Sequence, residues 1–105
     1  MVESYTDKLN IFAHKLRQKL ASEHPEEGEI RVHINHYSGK TRHRVSIWTD
    51  QSQERVYCFV RIEDGTLLRA TSWSGSKAPP EGLDRTIYDD DCGIAVCSLV
   101  GVRYK

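Results

Sequence analysis

Arginines alternate with aromatic and small polar residues through the middle of this 105-residue chain. Arg31, His33 and Asn35 take every second position of one run, Arg42, Arg44, Ser46 and Trp48 of a second, and Tyr57, Phe59 and Arg61 of a third. In a strand, side chains two apart share a face, so the three sets would gather on one side of a sheet. Guanidinium groups following phosphates, interleaved with rings that each stack a base for about 1–3 kcal/mol, are a common way to hold single-stranded nucleic acid. The candidate face is therefore Arg31, His33, Arg42, Arg44, Trp48, Tyr57, Phe59 and Arg61, and the expected partner is single-stranded nucleic acid. A plainer reading competes with it. A strand apolar on both sides needs cover on both, and Tyr57 and Phe59 would then lie under a helix or in an interface between copies of the chain. A homo-oligomer without nucleic-acid binding is the alternative expectation.

Other constellations carry less. His33, His36 and His43 fall on both sides of one expected hairpin, and Asp89, Asp90 and Asp91 could offer oxygen ligands, but their spacing matches no metal signature. Cys92 follows those three acids, a poor setting for a thiolate nucleophile, and no Gly-x-Ser-x-Gly elbow is present. The glycines are scattered rather than grouped into a phosphate loop. No catalytic residue, metal or cofactor is expected, and the chain reads as a noncatalytic module.

Charge is uneven along a chain whose formal net charge is zero. Residues 31–61 hold six Arg or Lys against two acids, whereas residues 81–91 hold five acids against one Arg. That distribution argues against a uniformly basic surface and allows a local basic patch.

These residues need a scaffold, and hydrophobic periodicity supplies one. Ser4 can cap a helix with Asp7 completing a capping box, and Tyr5, Leu9, Phe12, Leu16 and Leu20 recur at helical spacing as one stripe. Pro25 and Gly28 end it. Ile30 to Asn35 and Arg42 to Thr49 alternate as half-buried strands joined by a Ser38-Gly39-Lys40 turn, and Arg55 to Ile62 reads as a central strand. Asp64-Gly65 is the firmest hairpin signal, expected as a two-residue turn with both positions at positive φ, leading into a strand over 67–73. Residues 74–93 are turn-rich, with 86–88 as a short strand at most, and a last strand is expected over 94–104. The result is one α+β domain over 1–105: an N-terminal amphipathic helix and about five antiparallel strands, as an open curved sheet or a small Sm/SH3-like barrel. Three cysteines without CxxC spacing read as buried thiols in a reducing compartment. With no apolar run near ~20 residues and no signal-peptide layout at the N-terminus, a cytoplasmic protein without a membrane partner is expected.

Residues 57–93 also resemble a pattern in small uncharacterised proteins of phages and environmental viral sequences. There a strand ending in an acidic-Gly turn precedes a Lys-Pro-Ala-Ser-Trp segment, a proline loop, an Arg-Gly-x-Ile step and a glycine-containing last strand. The matching pieces are Asp64-Gly65, Ala70 with Ser72-Trp73, Lys77-Ala78-Pro79, Arg85 with Ile87, and Gly101 with Val102 and Tyr104. Arg69 stands in place of Lys-Pro, Thr71 is inserted, and Thr86 replaces glycine. The resemblance implies a viral accessory protein and carries over no catalytic residue. Within this segment, Trp73 and Arg85 are expected to meet as a cation–π pair that anchors the loop.

Overall fold

The helix begins where the sequence places its cap. In the computed structural model, which describes residues 4–35, 41–73, 75–78, 85–99 and 101–102, the Ser4 hydroxyl accepts from the Asp7 backbone N–H at 3.2 Å, and helix α1 runs Tyr5–Glu23. Leu9, Phe12, Leu16 and Leu20 are fully buried along its stripe. A 3-10 turn, Pro25–Glu27, then leads to Gly28 at φ 73. The Asp50 carboxylate crowds Gly28 where a side chain would stand and accepts the Glu29 N–H at 3.0 Å.

Five antiparallel strands follow in sequence order: β1 (Ile30–Asn35), β2 (Arg42–Thr49), β3 (Ser52–Arg61), β4 (Leu67–Ala70) and β5 (Ser76–Lys77). The strand order β1-β2-β3-β4-β5 leaves β1 and β5 as edges, so the sheet is open and the barrel alternative is set aside. Helix α1 lies across one face, against Ile30, Val45, Ile47, Tyr57, Cys58, Val60 and Leu67. The expected Ser38-Gly39-Lys40 turn lies outside the described residues.

Three expectations are corrected. The β3–β4 connection spans residues 62–66, with the Gly65 N–H donating to Arg61 O at 2.7 Å. Gly65 is at φ 73, while Asp64 keeps an ordinary negative φ and instead accepts the Thr66 N–H on its carboxylate at 3.0 Å. β4 stops at Ala70 because the Thr71 and Ser72 N–H groups turn onto Gly75 O, at 2.9 and 3.3 Å, and send the chain back as β5. Of the last strand expected over 94–104, the described residues form instead a 3-10 turn, Ile94–Val96, and two short paired strands, β6 (Cys97–Ser98) and β7 (Gly101–Val102), while residues 100, 103 and 104 lie outside the described residues. Asp91 starts that turn by accepting the Gly93 and Ala95 N–H groups at 2.9 and 3.1 Å. Residues 86–88 form a turn with one bridge, Thr66 to Thr86, because Asp89 accepts both the Thr86 N–H and hydroxyl at 3.2 Å.

The segment after residue 85 packs on the helix side, burying Ile87, Cys92, Cys97 and Val102. Side chains hold it where backbone ladders are short. The Lys19 ammonium donates to Ile94 O and Cys97 O, both at 2.9 Å, Arg55 donates to Leu99 O at 2.5 Å, and the Tyr57 hydroxyl donates to Ser98 O at 2.5 Å.

Candidate functional site

The face opposite the helix is assembled by register. β1 sets Arg31, His33 and Asn35 across from Trp48, Ser46 and Arg44, and β3 sets Phe59 and Arg61 across from Arg44 and Arg42. β4 adds Leu68 beside Phe59. Arg31, His33, Arg42, Arg44, Trp48, Phe59 and Arg61 therefore share one face, as the alternation of the sequence predicts.

Tyr57 does not share it, and that placement is corrected. Val45 pairs with Cys58 while Ser46 pairs with Val56, so β3 carries one extra residue at Tyr57. A bulge of this kind reverses the alternation beyond it. Tyr57 turns into the core, 1% exposed, and Arg55 falls opposite Ile47 on the helix side. Burial and the neighbouring thiols of Cys97 and Cys58 push the Tyr57 hydroxyl far above its usual range, so it stays protonated and donates to Ser98 O. Phe59 remains on the arginine face but is only 2% exposed. The Arg42 guanidinium lies over its ring, 4.5 Å from the centroid, and donates to the Ser76 hydroxyl on β5. Phe59 is thus a floor for Arg42 and offers no surface to a base.

Each guanidinium on the face has a fixed seat. Arg44 lies 4.2 Å over the Trp73 ring and makes a long 3.5 Å contact with Trp73 O. Arg61 pairs with Asp64 at 3.1 Å. Partial burial pushes the Asp64 carboxyl up, but hydrogen bonds from Thr66 and the Arg61 charge outweigh it and hold the group below its ordinary value. Arg31 pairs with Glu29 at 3.2 Å, with both side chains 57% exposed, a geometry that adds little stability. Arg42 and Arg61 are direct cross-strand partners. Like charges so placed repel. They line a cleft with Thr41, Ile62, Glu63 and Leu68, where Arg42 is held by Ser76 and Arg61 by Asp64; guanidinium groups so fixed have the planar geometry that recognises phosphate or carboxylate oxygens.

Trp73 is the residue that sequence reasoning misplaces. Its expected partner is Arg85, yet the guanidinium over its ring is that of Arg44. The β4–β5 turn folds the ring back over the sheet, and the Ser74-Gly75-Ser76 run after Trp73 is the signal that could have located it. The histidines are likewise not gathered. His33 is exposed on the arginine face, whereas His43 is buried on the helix side, where its Nδ1 is 2.9 Å from the Tyr5 hydroxyl; His36 lies outside the described residues. Among the described residues no group of three His, Cys, Asp or Glu is placed to hold a metal ion. Cys92 is buried, and the Ser46 hydroxyl is engaged by Glu54 at 2.6 Å. No helix of the described residues is long and apolar enough to cross a membrane. No family model matches the chain, and neither a curated protein nor a solved structure matches it.

Proposed function

We propose that the chain is a noncatalytic binding module that holds single-stranded nucleic acid by its phosphates on the arginine face. The observation that carries this reading is the direct pairing of Arg42 with Arg61 across β2 and β3. A phosphate that reaches both adjacent guanidinium groups gains charge-assisted hydrogen bonds from each. Arg42 is already seated on Phe59 and Arg44 on Trp73, so little side-chain freedom is given up on binding. The resemblance of residues 57–93 to the phage pattern supports a viral accessory role inside a host cell.

Anisotropy of a labelled oligothymidylate, titrated at several salt concentrations, tests the reading. Binding should weaken linearly in log salt, and Arg42→Ala with Arg61→Ala should make that slope shallower by about one for each phosphate that no longer meets an arginine. Equal affinity and slope for the parent and the double variant would refute it.

A second reading, self-association, is favoured by one observation: β1 is a six-residue strand with an open edge. The seating of Tyr57 in the core and Phe59 beneath Arg42 removes two of the rings on which a face-to-face dimer would be built. Light scattering that returns a dimer insensitive to Arg42→Ala but broken by proline at His33 supports this reading over the first.

A further inference from the structure

Trp73 is 48% exposed, more than any other large apolar residue described. It is also held in place. Thr71 and Ser72 donate to Gly75 O to close the β4–β5 turn, Ala70 pairs with Ser76, and Arg42 reaches across the face to the Ser76 hydroxyl. Arg44 occupies one side of the ring. An aromatic ring has two π-faces, and the guanidinium takes one of them. Leaving that much apolar surface wet forgoes favourable burial, which a stacked base would supply.

We infer that Trp73 is the base-stacking residue of this face: one nucleobase packs on its open side, in an Arg44–Trp73–base sandwich, while the phosphate that follows lies toward Arg42 and Arg61. The inference rests on the reading of the face as a nucleic-acid surface and sharpens it. Recognition would be divided, with arginines taking the backbone and one indole taking a base. Of the rings that sequence alternation nominated, Tyr57 and Phe59 take no part because both are covered, and Trp48 lies four residues along β2 from Arg44, opposite Arg31. One stacking position without hydrogen bonds to base edges accepts any base, so the ligand class is single-stranded DNA or RNA without strict sequence.

The chain has two tryptophans, Trp48 and Trp73, so in full-length Trp48→Phe protein the fluorescence reports Trp73 alone. That protein is titrated with an oligothymidylate and with an abasic deoxyribose-phosphate oligomer of equal length. Quenching is expected with the first and not with the second, together with tighter binding of the first. Adding Trp73→Ala should weaken oligothymidylate binding about 5- to 100-fold, the range of one base stacked on an aromatic ring, and leave abasic binding unchanged; Trp73→Phe should recover part of the loss. If both oligomers bind the parent equally, or if Trp73→Ala weakens both alike, stacking is overturned and Trp73 is only the seat of Arg44. If neither oligomer binds the parent, the reading of the face falls and the inference falls with it.

Discussion

The two faces of the sheet solve the placement of polar groups in opposite ways. On the helix side, apolar side chains from α1, β2 and β3 close over one another, and the polar groups that enter, Lys19, Arg55 and the Tyr57 hydroxyl, are spent on backbone carbonyls of residues 94–99. On the other side, cations lie against rings and hydroxyls at the surface, and two arginines are set against each other. The first arrangement supplies stability. On the proposed reading the second serves binding, so substitutions on the two faces should separate folding from binding.

The largest effect is expected from Phe12→Ala. Phe12 is fully buried, and truncating such a ring costs about 3–5 kcal/mol, read as a shift in the urea midpoint. A cost below about 1 kcal/mol would mean that the helix does not seal this face. Next comes Lys19→Met, which strips the donor from Ile94 O and Cys97 O at about 2 kcal/mol. Amide exchange should accelerate over residues 94–99 before it does in α1; uniform acceleration would show that the C-terminal segment and the helix open as one unit.

High pH should attack the helix side first. Burial pushes the Cys97 thiol up from 9.0 to about 11 and the Tyr5 hydroxyl up from 10.0 to about 12. Both groups are neutral when protonated, so their contribution is complete below the unfolded values and is lost as pH climbs from 9 towards 12. A melting temperature that is flat from neutral pH to 11 would contradict the burial of Cys97. The smallest effect on folding is expected from Arg42→Ala, about 1 kcal/mol, because it removes one cation–π stack on Phe59 and one hydrogen bond to Ser76. The same variant should weaken oligonucleotide binding and lower its salt dependence. A destabilisation comparable to that of Phe12→Ala would blur the distinction between the faces.

Periodicity is a reliable guide wherever one element alternates without interruption. The stripe from Tyr5 to Leu20, the Ser4 cap and the in-and-out order of β1 and β2 follow from residue spacing, since a helix or strand with one apolar side has one way to bury it. Most of the candidate face is legible for the same reason. Where spacing misleads, the cause is local. Tyr57 is misassigned from its spacing because a bulge inserts one residue and reverses the faces beyond it, and the contact that accompanies the bulge is tertiary: it seats a tyrosine where Ser98 O accepts a hydrogen bond from its hydroxyl. The last strand gives way because Asp91, Gly93 and Gly101 bend the chain through short-range hydrogen bonds and positive φ.

Sequence by itself therefore determined the α+β class, the helix with its cap, the strand alternation and the gathering of Arg31, Arg42, Arg44 and Arg61 on one side. Tertiary structure alone decided that the sheet stays open, that Arg42 faces Arg61 in register, and that Trp73 returns over Arg44 rather than meeting Arg85. Period and propensity act between near neighbours along the chain, whereas register, bulges and the partners of a long side chain are settled by residues far away in sequence that folding brings together.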